Sequence, residues 1–221
     1  MEHSQNVHEH QPVHRAGSAI SGARLVAILL HGRGARAEDM LALSGEFTAP
    51  DVAYLAPQAA GHTWYPYSFL APIEQNEPNL SSALSLIARL LQDLEQQNVT
   101  SERIVLLGFS QGACLTLEFA ARHARRYAAV VALSGGLIGP SGTPRNYSGA
   151  LGATPVFLGC SDVDIHVPVQ RVHESAEVFR RMGAVVNERI YPGMGHTVNR
   201  DEIDAVDALL SRTGPAKFTD L

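Results

Sequence analysis

Short apolar runs alternate along this chain with longer segments in which apolar residues recur at helical spacing. The apolar runs, rich in Val, Ile, Leu and Ala, cover residues 24–30, 52–56, 103–107, 128–133, 155–158 and 185–191. The segments with helical spacing cover residues 80–96, 111–123, 169–182 and 201–210. Because parallel strands need a crossover between them, this alternation predicts a three-layer α/β fold: a mostly parallel sheet with helices on both faces.

The length and composition of the chain suit one domain. It has 221 residues, of which 45% are hydrophobic, enough to bury a sizeable core. No internal repeat or Gly/Ser linker divides it, so we expect a single domain over residues 1–221. That domain includes a polar arm at residues 1–16 and a C-terminal tail at 212–221. The Gly-, Pro- and Ser-rich stretch 135–152 is predicted to be a loop.

Composition also argues against several classes of protein. The net charge of −5 disfavours nucleic acid as a partner, since phosphate binding needs a basic surface. Lys217 is the only lysine and lies close to the C-terminus, which disfavours PLP, Schiff-base and P-loop chemistry. Unbroken apolar runs such as residues 25–30 are far shorter than the roughly 20 residues that cross a bilayer. With no signal peptide evident, we expect a cytoplasmic protein.

The polar arm contains four of the ten histidines. These are His3, His8, His10 and His14. Their spacing resembles a metal-binding tract, but no carboxylate pattern accompanies them. We therefore favour a surface arm or an edge strand, and predict no metal site.

Gly-Phe-Ser-Gln-Gly at residues 108–112 has the G-x-S-x-G pattern and stands between a predicted strand and a predicted helix. That context is the one a nucleophile elbow requires, since the serine sits at the apex of a sharp turn between small residues. Ser110 is thus the candidate nucleophile. The N–H of Gln111 opens the helix, where it can stabilise an oxyanion.

A serine nucleophile needs a base and an acid that orients the base. His196 follows the last predicted strand in a Gly-rich loop, Pro-Gly-Met-Gly-His at 192–196, and is the candidate base. Asp162 and Asp164 both follow the strand at 155–158, and spacing alone leaves the choice of acid open. His-Gly-Arg-Gly at 31–34 follows the first long strand, so the N–H of Arg33 is the candidate second oxyanion donor.

Together these motifs resemble the phospholipase/carboxylesterase family of α/β-hydrolases, which includes acyl-protein thioesterases. The resemblance extends from about residue 22 to 211. It implies the α/β-hydrolase fold with little or no lid, no cofactor, and oxyanion donors at Arg33 and Gln111. The family's acid stands four residues before a proline, which favours Asp164, four residues before Pro168. The chain departs from the family at Ile165, where a proline is usual.

An aromatic cluster at residues 62–69 is predicted to form a wall of the substrate pocket, alone or while packing under a long loop. The pocket candidates are Trp64, Tyr65, Phe69, Leu137, His166 and Met194. Trp64 matches a tryptophan of the family. Arg33 and His166 at the mouth suggest a preference for an anionic acyl group.

The predicted function is a serine hydrolase of carboxylic esters or thioesters that works through an acyl-enzyme. Its substrate is expected to be a small-molecule or lipid ester, and a homodimer is left open. Two alternatives are a non-catalytic binding protein of the same fold and an enzyme similar to dienelactone hydrolase. The latter usually has cysteine where this chain has Ser110.

Overall fold

The computed structural model describes residues 6–214, and its strands form one seven-stranded sheet. The strands are β1 (Val13–Gly17), β2 (Leu25–Leu30), β3 (Val52–Pro57), β4 (Ile104–Phe109), β5 (Ala129–Leu133), β6 (Pro155–Ser161) and β7 (Val185–Tyr191). Their order across the sheet is β1-β3-β2-β4-β5-β6-β7. Only β1 runs antiparallel to its neighbour, and every other pair is parallel.

Helices cover both faces of the sheet. They are α1 (Ala37–Ser44), α2 (Asn79–Gln96), α3 (Gln111–Arg122), α4 (Val169–Arg181) and α5 (Arg200–Arg212). Helices α2, α3 and α4 share one apolar core, whereas α1 and α5 share the other. Successive residues of β2 alternate between the two cores, with Ile28 in the first and Leu29 in the second. The predicted three-layer α/β fold is confirmed.

The predicted elements are present, with ends that differ by at most three residues. Helix α1 was not predicted from the sequence. It has only eight residues, of which Ala37, Met40 and Ser44 are buried, so its apolar periodicity is weak. Residues 135–152 are irregular, as predicted.

The histidine-rich arm is partly an edge strand and partly buried. Residues 13–17 pair with β3, in agreement with the edge-strand prediction. The prediction of a surface arm is wrong for His8, whose side chain is fully buried. Its ring contacts a loop more than fifty residues further along the chain. His3 lies outside the described residues.

The strand order reverses between β2 and β4, because the chain turns outward to β3 after β2 and then returns to start β4. In a parallel sheet such a reversal opens a crevice at the carboxyl ends of the strands. The segments that follow β2 and β4 meet at this crevice, and those that follow β6 and β7 lie beside it. The predicted site residues therefore lie at one edge of the sheet.

Candidate active site

Ser110 occupies a strained turn between β4 and α3. Its φ of 54° and ψ of −117° lie in a region that side chains rarely adopt. The flanking residues Gly108 and Gly112 are glycines because neither position has room for a side chain. A Cβ on Gly112 would lie 2.0 Å from the Leu30 carbonyl oxygen, and one on Gly108 would lie 2.3 Å from the backbone of Gly112. The G-x-S-x-G spacing is thus required by close packing of strand and helix.

A continuous chain of hydrogen bonds joins Ser110 to His196 and Asp164. Ser110 Oγ lies 2.8 Å from His196 Nε2, and His196 Nδ1 lies 2.7 Å from Asp164 Oδ2. These partners assign the neutral tautomer, in which Nδ1 donates to the carboxylate and Nε2 accepts from the hydroxyl. The imidazole is placed to take the serine proton.

The Asp164 side chain is fully buried and satisfied at both oxygens. Its Oδ1 accepts hydrogen bonds from the backbone N–H of His166 at 2.8 Å and of Val167 at 3.0 Å. Burial raises the pKa of Asp164, but the hydrogen bonds from His196 and from these two N–H groups outweigh it and leave the pKa below its usual value. The carboxylate is therefore charged at neutral pH, as an acid that orients a histidine must be.

The other candidate acid, Asp162, holds the loop rather than the imidazole. Its Oδ1 accepts a hydrogen bond from the Gly193 N–H at 2.8 Å. In the same loop, the Met194 carbonyl accepts a hydrogen bond from the Ser161 hydroxyl. These two contacts fasten the segment that carries His196 to the end of β6.

The loop at residues 31–34 lies directly against the nucleophile. A Cβ on Gly32 would lie 3.3 Å from Phe109 Cδ1 and 3.4 Å from Ser110 Cβ, so a side chain here would have to displace the Phe109 ring by a few tenths of an ångström. His31, fully buried, holds the loop from beneath: its Nε2 accepts the Ala59 N–H at 3.0 Å. The N–H of Gln111 lies in the first turn of α3, where no intrahelical acceptor is available. The segments that carry the two predicted oxyanion donors therefore flank Ser110.

The side chains of Arg33 and Gln111 bind one common partner, the aromatic segment (residues 62–69). The Arg33 guanidinium donates to the carbonyl oxygens of Pro66 at 2.8 Å and Tyr67 at 2.5 Å. Gln111 is buried, and its Nε2 donates to the Tyr65 carbonyl oxygen at 2.8 Å. The aromatic segment is therefore attached to both sides of the site.

A cavity of about 630 Å³ opens over Ser110. Its volume lies in the range of small-molecule sites. Its lining includes three of the predicted pocket residues, Tyr65, Phe69 and His166. Tyr67, which belongs to the predicted aromatic wall, also lines the cavity. The lining further contains Phe109, Cys114 and Val167, which the sequence interpretation missed. Position alone could have indicated two of them, since Phe109 precedes Ser110 and Cys114 follows it by one helical turn.

The other three predicted pocket residues lie elsewhere. Trp64 and Leu137 are fully buried behind the site, where their side chains pack in the apolar core. Leu137, for instance, donates its N–H to Ser175 Oγ at 2.9 Å. Met194 contributes its carbonyl to the loop contact with Ser161, and its side chain does not line the cavity.

Within residues 6–214, no three His, Cys, Asp or Glu side chains are grouped so that they could hold a metal ion. No helix in the same range combines the length and apolarity that crossing a membrane requires.

The sequence profile of the phospholipase/carboxylesterase family matches residues 16–213. The chain therefore belongs to this family. This confirms the resemblance that the motifs indicated.

Relatives with curated names agree with this assignment. The acyl-protein thioesterase 1 of Gibberella zeae is 31% identical over 150 residues, which are 62% of this chain and 61% of that protein. The acyl-protein thioesterase 1 of Saccharomyces cerevisiae is 25% identical over 222 residues, covering 90% of this chain and 97% of that protein. The match thus spans about three-fifths of the length of the first relative and nearly all of the second.

Among solved structures, a phospholipase/carboxylesterase from Dyadobacter fermentans has a TM-score of 0.87 to this chain at 42% identity. That comparison covers 90% of this chain and 96% of the other. A Bacillus cereus carboxylesterase has a TM-score of 0.72 at 15% identity, covering 93% of this chain and 98% of the other, and shares the fold.

Proposed function

We propose that this chain hydrolyses carboxylic esters or thioesters, with Ser110 as nucleophile, His196 as general base and Asp164 as the group that orients His196. The observation that supports the proposal is the unbroken hydrogen-bond chain, 2.8 Å from Ser110 to His196 and 2.7 Å from His196 to Asp164. A serine is a weak nucleophile until a base accepts its proton, and this arrangement supplies that base.

The first half of the reaction transfers the acyl group to the enzyme. Ser110 Oγ attacks the acyl carbonyl carbon while its proton moves to His196 Nε2. The carbonyl oxygen becomes an oxyanion, which the N–H groups of Arg33 and Gln111 stabilise. The C–O or C–S bond to the leaving group then breaks, and His196 returns the proton to the departing alcohol or thiol. An acyl ester on Ser110 remains.

The second half releases the acid. A water molecule gives a proton to His196 Nε2 and attacks the acyl ester. The second tetrahedral intermediate collapses when the bond from the acyl carbon to Ser110 Oγ breaks and His196 returns its proton to Oγ, which releases the carboxylic acid and regenerates the Ser110 hydroxyl. Removal of one oxyanion donor from other serine hydrolases costs about 2.7–4 kcal/mol, so the two N–H groups are a major part of this mechanism.

The cavity favours a short or aromatic acyl group. Its side-chain walls are mainly aromatic rings, and within residues 6–214 no Leu, Ile or Met lines it. Phe69, Val167 and the fully buried Cys114 are also part of its lining. The named relatives are acyl-protein thioesterases, so a thioester with a longer acyl chain is the competing substrate class.

A p-nitrophenyl ester series from two to sixteen acyl carbons tests this proposal. We expect turnover by wild type to be greatest at short chains and to be absent from Ser110→Ala. Ser134→Ala is the matched control, since Ser134 is a buried serine that shares the φ of 54° with Ser110. A fluorophosphonate should label wild type and the control but not Ser110→Ala.

The same assay separates the proposal from a non-catalytic binding protein and from a thioesterase for longer acyl chains. A non-catalytic binding protein would neither turn over an ester nor label. A maximum at long chains would favour the acyl thioesters over short esters. A cytoplasmic location and a homodimer stay predictions from the sequence.

A further inference from the structure

Every polar group of Trp64 is bound to a different part of the chain. Its indole Nε1–H donates to the His31 carbonyl oxygen at 2.8 Å. Its backbone N–H donates to Gln111 Oε1 at 2.9 Å, and its carbonyl oxygen lies 3.0 Å from His8 Nε2. Three distant segments of the chain therefore meet at one residue.

Two of these contacts reach the two sides of the oxyanion site. His31 begins the loop that carries the N–H of Arg33. Gln111 supplies the other N–H, and its side chain is the group that Trp64 binds. The indole N–H and the backbone N–H of Trp64 thus connect the loop after β2 to the start of α3.

The surroundings hold the indole ring itself in place. The ring is fully buried, and the ring centroids of His31 and His8 lie 4.9 Å and 5.5 Å from it. Close packing of this kind leaves one rotamer available. The indole can therefore act as a spacer of constant length rather than a flexible contact.

We propose that Trp64 is a positioning residue that sets the distance between the two oxyanion donors, the N–H groups of Arg33 and Gln111. This inference rests on the proposed function. An oxyanion hole works only when both donors lie near 3 Å from the developing charge, and the oxyanion exists only in the transition state and the tetrahedral intermediates. Loss of the bridge therefore weakens binding of those states more than binding of the ester.

The variant Trp64→Phe tests the bridge, because phenylalanine keeps an aromatic ring in the core but has no N–H for the His31 carbonyl. We expect kcat to fall about tenfold, since misplacement of a catalytic group by a fraction of an ångström has effects of this order. KM should stay within about twofold. An alkylboronic acid, whose adduct with Ser110 places an oxygen in the oxyanion hole, should bind about tenfold more weakly.

Tyr127→Phe is the matched control for a merely structural loss. Tyr127 is another fully buried aromatic residue, and its hydroxyl donates to the His123 carbonyl oxygen at 2.9 Å, near the far end of α3. We expect this variant to lower Tm as Trp64→Phe does, but to leave kcat and the affinity for the boronic acid unchanged. Equal kinetic losses in both variants would overturn the proposal.

A double-mutant cycle tests whether the two contacts form one bridge. Gln111→Met removes the acceptor for the Trp64 N–H but keeps the backbone N–H of residue 111. If Trp64 joins both sides, Gln111→Met should cost less in the Trp64→Phe background than in wild type. Two independent, multiplicative losses overturn the proposal, and Gln111→Met supplies its own kinetic test if Trp64→Phe does not fold.

The outcomes separate this inference from the proposed function. Wild type without Ser110-dependent turnover would overturn the proposed function, and the inference with it. Wild-type turnover combined with unchanged kcat and boronic acid affinity in Trp64→Phe would overturn the positioning role alone.

Discussion

Asp162 and Asp164, two residues apart at the end of β6, hold two ends of the same loop. Asp162 accepts the Gly193 N–H at 2.8 Å, and Asp164 accepts from His196 Nδ1 at 2.7 Å. One carboxylate fixes the backbone of the loop and the other fixes the imidazole that the loop carries. Loss of the two carboxylates should therefore have different effects on catalysis.

Asp164→Asn should lower kcat by about 10³–10⁴, because an amide in place of the carboxylate no longer stabilises the imidazolium or selects the tautomer. Asp162→Asn should lower kcat by about tenfold or less, since the amide oxygen can still accept from Gly193. Steady-state hydrolysis of a p-nitrophenyl ester by both variants decides the question. The reverse ranking would move the acid to Asp162.

Glu202, in the first turn of α5, is predicted to destabilise the fold above neutral pH. The side chain is fully buried, and its Oε1 packs against Gly159 without a hydrogen-bond partner among the described residues. Burial raises its pKa to about 7. A carboxyl with a raised pKa supports folding fully below its unfolded pKa of about 4.3, and this support is lost as the pH rises through 7.

Glu202→Gln should therefore raise the free energy of unfolding at pH 8, by up to about 3 kcal/mol, and by no more than about 1 kcal/mol at pH 5. Glutamine still fits the capping arrangement with Asn199. Urea denaturation at both pH values measures the change, with the exposed Glu74→Gln as control. An equal gain at pH 5 and pH 8 would contradict a titrating Glu202.

His8 and His31 are predicted to make the protein sensitive to mild acid. Each ring accepts a backbone N–H at one nitrogen, from Ala60 and Ala59 respectively, and lies within hydrogen-bond distance of a carbonyl oxygen at the other. These partners require neutral imidazoles. Burial lowers the pKa of both histidines, although nearby carbonyl contacts act in the other direction.

The unfolded chain therefore binds protons below about pH 6.5 that the folded chain does not, so stability is lost as the pH falls through that value. The loss should approach about 1.4 kcal/mol per pH unit for each histidine. His8→Gln should have a shallower slope between pH 7 and 5.5 than wild type, whereas the exposed His10→Gln should not. Identical slopes in all three proteins would show that His8 does not contribute.

Arg33 is predicted to favour substrates with a carboxylate. Its guanidinium is the only side chain with a permanent charge among the described residues that line the cavity, and no carboxylate lines it. The N-terminus of α3 also points its positive end at the site. Because Arg33 is exposed, we expect a modest effect, on the order of 1 kcal/mol.

Monomethyl adipate and methyl hexanoate, followed by titration of the released acid, form a suitable pair of substrates. Arg33→Gln should lower the ratio of kcat/KM for the charged ester over the neutral one by about three- to tenfold. The neutral ester corrects for any disturbance of the Arg33 backbone. A ratio that does not change removes the preference for an anionic substrate.

The sequence by itself determined the features that depend on neighbouring residues. The alternation of strands and helices sets the layers, since each element must bury its own apolar face. Gly108 and Gly112 mark the elbow because a Cβ at either position would collide with the adjacent backbone. Ser110 and His196 could be predicted as nucleophile and base because each lies in the segment that follows a strand of the predicted parallel sheet.

Only the tertiary structure decided the features that depend on partners far apart in the chain. His8 meets the Trp64 carbonyl across 56 positions, and Trp64 N–H meets Gln111 across 47. No local pattern records such pairs, because the packing of whole elements selects them. For this reason Trp64, predicted in the pocket wall, lies behind it, and the choice between Asp162 and Asp164, which local spacing left open, depends on where the His196 loop packs.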